Sequence, residues 1–191
     1  MLQLYLIRHG QTAWSLTGQH TGRTDIALTE QGEADARALA PRLQHIQFSK
    51  VLTSPMLRAR RTCELAGLGS GSEVDGDLQE WNYGAYEGRR SIDVYRERPD
   101  WNLWRDGCPD GESADQVAAR IDRLLARLET VNGSVALFLH GHIGAALAVR
   151  WIGLPMINGE HFPLHPATIC ILGVEQAHPG VPVILTWNAT P

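Results

Sequence analysis

Lysine is nearly missing from this chain of 191 residues: of its 17 basic side chains only Lys50 is a lysine and the rest are arginines. Against them stand 21 acidic residues, and the net charge of −4 lacks the basic footprint that a nucleic-acid partner needs. Cysteine is scarce as well. Cys63, Cys108 and Cys170 are odd in number and lack metal-type spacing, so they read as reduced structural thiols of a cytoplasmic protein. No apolar run has the length of a membrane span, and no membrane partner is expected. The first apolar stretch, residues 2–7, has no basic residues ahead of it and stops at Arg8, unlike a secretory signal. Repeats, low-complexity tracts and linkers are absent too. The expectation is a cytoplasmic single domain over residues 1–191, 43% hydrophobic, working as a monomer or homodimer. A chain this long buries roughly 70% of its extended surface.

What is present is a set of short apolar runs that end in chemistry. Residues 2–7, rich in Leu, Ile and Tyr, predict a buried strand closed by Arg8, His9 and Gly10. At the carboxyl end of a strand, where open α/β sheets bind ligands, Arg8 sets a cation beside an imidazole. Gly10 lets a ligand approach the backbone. Alone, the pair fits a solvated strand tip better than a site, and only partners elsewhere in the chain reverse that. Residues 13–26 read as a ligand-wrapping loop that includes Ser15, Gln19, His20, Thr21 and Gly22. Thr29 caps a predicted helix to about Ile46, interrupted at Pro41. Residues 51–53 predict a second strand, and Ser54-Pro55 an N-cap with proline at the first helical position. Arg58 then lies in the first turn, the end of a helix that favours an anion.

Residues 69–76 read as a loop. Residues 78–88 set Trp81, Tyr83 and Tyr86 around Glu80, surroundings that suit a general acid. Trp101 and Trp104 fall in a loop placed to overhang a pocket. Ser113 begins the clearest helix, with Val117, Ile121, Leu124, Leu125 and Leu128 at helical spacing. Residues 134–139 predict another buried strand, ending in His140-Gly141-His142, and a helix follows to about Ile152. Residues 168–174 and 181–187 predict a hairpin at the sheet edge. Alternating strands and helices predict an α/β fold of three layers, α/β/α, around a mostly parallel sheet with that hairpin. Tips of parallel strands share one side of a sheet. His9 and His140 would meet there with Arg8 and Arg58, around a cavity suited to a dianionic phosphoryl group. No carboxylate or cysteine stands at ligand spacing to His140 and His142, so no metal is expected and His142 reads as pocket wall.

Arg8-His9-Gly10-Gln11-Thr12 resembles the Arg-His-Gly signature of the histidine phosphatase superfamily, which includes the cofactor-dependent phosphoglycerate mutases. Residues 53–62 are similar to its second arginine motif, residues 78–88 to the segment carrying its acid, and Leu139-His140-Gly141 to its second histidine motif. The resemblance implies a phosphoglycerate mutase-like fold and two-step phosphoryl transfer without cofactor or metal. His9 would be the nucleophile, Glu80 the acid, and His140 a third catalytic group. Arg8, Arg58, Gly10, Ser15 and Gly141 would hold the phosphate. Gln19, His20, Thr21, Gly22, Tyr83, Trp104 and His142 would meet the rest of a small-molecule phosphate ester.

Three functions fit such a set. The first is a phosphomonoesterase resembling broad acid and sugar-phosphate phosphatases. The second is a phosphoglycerate mutase-type isomerase, and the third a regulatory module that binds phosphoproteins. Mutases of the family resemble longer chains with a lysine after the acid motif, where this chain has Arg89-Arg90, and many carry asparagine at the position of Ser15. An intact acid is superfluous in a pure binder. The sugar-phosphate branch tends to carry an arginine three or four positions after its His-Gly-His; here Ile143, Gly144 and Ala145 follow, which removes an anchor for a second phosphate. A phosphatase is the reading these departures favour.

Overall fold

A computed structural model of the protein describes residues 2–175, 177–178 and 180–190. Its six strands are β1 (Gln3–Arg8), β2 (Phe48–Thr53), β3 (Ser72–Val74), β4 (Ser134–Leu139), β5 (Ile169–Val174) and β6 (Pro182–Ala189). They form one sheet in the order β3-β2-β4-β1-β5-β6. The first four run parallel, while β5 is antiparallel to β1 and to β6, so the mostly parallel sheet ends in the expected hairpin. The period of two along each strand divides the apolar residues between two cores. Leu4, Leu6, Val135, Leu137 and Leu139 face one side, and Ile7, Val51, Ala136 and Phe138 the other.

Among the described residues eight α-helices complete the layers: α1 (Ala13–Thr17), α2 (Glu30–Ala38), α3 (Ala40–Leu43), α4 (Leu57–Leu65), α5 (Ser91–Glu97), α6 (Leu103–Asp106), α7 (Ala114–Leu128) and α8 (Gly141–Trp151). Helices α7 and α8 share the first core with α6 and the aromatic segment around Trp81; α3 and α4 share the second. The helix expected over residues 29–46 is divided into α2 and α3, with Pro41 in the first turn of α3, where a missing N–H costs nothing. Ser113 caps α7 through a capping box with Gln116.

Three local expectations are corrected. The loop over residues 13–26 contains α1, closed by a capping box in which Thr12 and Ser15 bond each other's backbone N–H. The loop over residues 69–76 contains β3, which pairs parallel to β2. Ser54 is not an N-cap: α4 starts two residues later, with Met56 in the cap position and no side-chain cap bond. None of the helices among the described residues is long and apolar enough to cross a membrane.

Candidate active site

Strands β1 and β4 are neighbours with Arg8 opposite Leu139, and the His9 N–H continues the ladder to the Leu139 carbonyl at 3.0 Å. Their tips therefore emerge together, and the rings of His9 and His140 lie edge to face with centroids 5.1 Å apart. His9 Nδ1 lies 2.7 Å from the Gly10 carbonyl oxygen. A carbonyl only accepts, so Nδ1 carries the proton and Nε2 keeps its lone pair. Burial beside the Arg8 and Arg58 guanidinium groups holds His9 well below the ordinary imidazole range, and the ring is neutral near pH 7. Gly10 is used otherwise than expected. A Cβ there would come within 2.3 Å of the Gly32 carbonyl oxygen, and its N–H donates to Thr62 Oγ1 at 3.0 Å. Its missing side chain makes room for α2, not for a ligand.

Arg58 is fully buried. Its Nε donates to His140 Nδ1 at 3.1 Å, while Nη1 and Nη2 donate to the carbonyls of Thr21, Gly22 and Thr24 at 2.8 to 3.1 Å. The guanidinium thus ties the loop after α1 to the tip of β4. Since Nδ1 of His140 accepts, its Nε2 carries the proton and donates to Ser54 Oγ at 2.8 Å. His140 is wholly buried and held well below the ordinary imidazole range by that burial and by Arg58. Both of its nitrogens are engaged. Ser54 escaped sequence reasoning because Ser-Pro before a helix has a sufficient local explanation.

Glu80, 5% exposed, sits on the N-terminus of α8. Its Oε1 accepts from the backbone N–H groups of Trp81 and Ile143, both at 3.0 Å, and Oε2 from that of His142 at 3.1 Å. Helix N–H groups without intrahelical partners are natural carboxylate ligands. A partly buried ion pair braces the segment that presents it. Arg120 of α7 meets both oxygens of Glu112 at 3.0 and 2.9 Å and donates to the carbonyls of Asp77 and Gln79 at 2.8 and 2.7 Å. Glu112 in turn accepts from the Asn82 N–H at 2.8 Å. The backbone is therefore held on both sides of Glu80. A signal for this was available: Arg120 lies on the apolar stripe of α7, between Val117 and Ile121.

These groups border a cavity of about 320 Å³. Among the expected residues, Arg8, His9, Ser15, Gln19, His20, Thr21, Glu80, Tyr83, Trp104, Gly141 and His142 line it, whereas Gly10, Gly22, Arg58 and His140 do not. A guanidinium nitrogen of Arg8 donates to the Leu164 carbonyl, and burial lowers its pKa from the usual arginine value. Ser15 is committed to the α1 cap and Gly22 donates its N–H to Glu87 at 2.9 Å. Trp104 is a wall and not a flap: it is buried, edge-on to Trp81, and packed so closely that a Cβ on Gly159 would come within 2.2 Å of its ring. Residues of the turn 156–165, among them Glu160 and Phe162, join the lining.

A sequence profile of the histidine phosphatase superfamily (branch 1) matches residues 4–190. The chain belongs to that superfamily. It is 41% identical over 178 residues to an acid phosphatase of Mycobacterium tuberculosis, a match that covers 91% of this chain and 87% of that one. It is 37% identical over 182 residues to the sedoheptulose 1,7-bisphosphatase of Saccharomyces cerevisiae, covering 78% of this chain and 67% of that one. The solved structure of open reading frame Rv3214 from Mycobacterium tuberculosis superposes with a TM-score of 0.92, at 38% identity over 98% of this chain and 97% of that one. The α/β architecture is accordingly the histidine phosphatase fold.

Proposed function

We propose that this histidine phosphatase superfamily member hydrolyses small-molecule phosphate monoesters through a phosphohistidine on His9, without a metal ion, as one cytoplasmic domain over residues 1–191. One observation carries the reading: a neutral imidazole on the cavity wall, its proton held at Nδ1 by the Gly10 carbonyl, its Nε2 lone pair unengaged, with the Arg8 guanidinium beside it. Those are the needs of a phosphorus-directed nucleophile.

In the first step Nε2 of His9 bonds to phosphorus and the ester P–O bond breaks. The departing oxygen takes a proton from Glu80, whose Oε2 is bonded to one backbone N–H where Oε1 takes two and so has capacity left for a proton. Water then attacks phosphorus, Glu80 accepts its proton, and the N–P bond breaks to release inorganic phosphate. Arg8 neutralises the charge on the transferring group. Arg58 contributes its positive charge from behind and keeps His140 oriented. The isomerase reading lacks comparable support, because the single lysine, Lys50, pairs with Glu73 at 3.1 Å and does not line the cavity.

Rapid quench into alkaline denaturant with a radiolabelled phosphate ester is the deciding experiment. An acid-labile, alkali-stable phosphoenzyme that forms in excess EDTA and disappears in His9→Ala is expected. Turnover that needs a divalent metal, or a label that survives in His9→Ala, overturns the reading.

A further inference from the structure

Charge is distributed unevenly around the cavity. Among the described residues Arg8 is the only arginine or lysine that lines it, and the two carboxylates in the lining, Glu80 and Glu160, are acidic. Away from Arg8 much of the polar wall is made of groups that both give and take hydrogen bonds. Tyr83 Oη and His142 Nδ1 share a 2.5 Å bond, and His20 Nε2 shares one of 2.9 Å with Ser91 Oγ. His20 stacks on Tyr83 at 4.7 Å between centroids, and Trp104 meets His142 edge-on at 5.6 Å. Burial lowers His20 to about 4 and also depresses His142, so neither imidazole offers a positive charge near pH 7. Arg89 and Arg90, which precede Ser91 in the chain, are turned onto α5. Arg89 pairs with Glu97 at 2.6 Å and Arg90 takes both oxygens of Asp93 at 2.7 and 3.0 Å. One turn into α8, where a longer side chain would reach the cavity, the lining residue is Ala145.

We infer that the alcohol half of the substrate is an uncharged polyol, so that the enzyme takes monophosphates of the sugar or sugar-alcohol class and disfavours esters carrying a second phosphate or a carboxylate. This rests on the hydrolase reading and goes further, to what the far wall selects. A second anion would sit near the Glu160 carboxylate with no arginine or lysine to pair with, and an unpaired charge is costly for a pocket to hold. A hydroxyl fits the same wall, since the Tyr83–His142 and His20–Ser91 pairs keep donor and acceptor capacity beyond the bond each pair shares. The rings of Trp104 and Phe162 offer apolar surface to the C–H faces of such a molecule. The inference separates this chain from what the name of its yeast relative, a bisphosphatase, says of that protein.

Matched substrates test it on the wild-type enzyme. Glycerol 3-phosphate and 3-phosphoglycerate differ in a hydroxymethyl against a carboxylate; fructose 6-phosphate and fructose 1,6-bisphosphate differ in a hydroxyl against a phosphate. The neutral member of each pair is expected to show a kcat/KM at least about tenfold higher, the factor that leaving one site group unpaired commonly reaches. Equal or reversed ratios, with 4-nitrophenyl phosphate still hydrolysed, overturn this inference and leave the hydrolase reading standing. No phosphate release from any of the five overturns both. Glu160→Arg, a change at an exposed position on the rim, is expected to narrow both ratios by raising the acidic members. Unmoved ratios mean that charge does not make the selection, and the inference falls.

Discussion

Strands β1 and β4 lie side by side, point the same way, and each delivers a histidine followed by a glycine at its tip. The two tips diverge in what comes next. After β1 the chain turns away over Gly10, whose bare Cα lets α2 close in at Gly32, and His9 stays on the cavity wall with one nitrogen free. After β4 the chain goes straight into α8, and the His140 ring lies between Ser54 and Arg58 with neither nitrogen available. Nucleophilicity is set by the partners of the ring and not by the dipeptide. Two like motifs yield one imidazole with a free nitrogen, the proposed nucleophile, and one with both nitrogens engaged.

The sharpest way to break this comparison is to remove each ring. His9→Ala is expected to lower kcat by at least about a thousandfold, as loss of a covalent nucleophile does elsewhere, and to abolish the phosphoenzyme. His140→Ala is expected to lose on the order of 10- to 100-fold and still to form phosphoenzyme in a quench experiment, since an electrostatic partner contributes less than a nucleophile. A label lost equally in both variants would erase the distinction between the tips.

Glu112→Gln probes the brace behind Glu80 next. An acid matters most for a poor leaving group, so kcat on an alkyl phosphate is expected to drop about tenfold while the rate on 4-nitrophenyl phosphate changes little. Equal losses on both would mean that the Arg120–Glu112 pair serves the fold alone. Ser54→Ala, which leaves His140 Nε2–H without its acceptor, is a smaller change. A loss of about 1 to 3 kcal/mol of stability from the unpaired donor, read by urea unfolding, with kcat lowered only severalfold, is expected.

The smallest effect sharpens what the two tips share. Both His9 and His140 bind protons less readily in the fold than the ordinary imidazole value of 6.5. Above that pH neither state takes the proton; below it the unfolded chain takes one that the folded ring refuses. Stability therefore falls as pH drops below 6.5, and His20, lowered to about 4, adds to the same trend. The urea midpoint of the wild type is expected to fall between pH 7 and 5 more steeply than that of either His9→Gln or His140→Gln. Unchanged slopes in both variants would show that neither ring resists protonation.

Much of this was legible in the chain because it depends on local pattern. Apolar runs ending in polar tips announced β1 and β4, the stripe of α7 announced its buried face, and adjacency of parallel tips follows from sheet geometry. Strand β3 was hidden, since three residues in a Gly- and Ser-rich stretch, two of them polar, carry no periodicity. Helix α1, five residues long, was hidden for the same reason. The setting of Glu80 was only partly legible, because two of the three N–H groups on its carboxylate come from the start of a helix some 60 positions later. Arg58 looked like a phosphate ligand from its place in a first turn, yet three carbonyls and an imidazole take most of its donors. Such long-range pairings leave little trace in spacing.

Lys50, the single lysine, stands in β2 beside Glu73 of β3, at the sheet edge remote from the cavity lining. Chemistry that acylates side-chain amines consequently has one address on this protein. A fluorophore or a surface linkage attached there would report on the molecule, or hold it in place, with the cavity left open to solution.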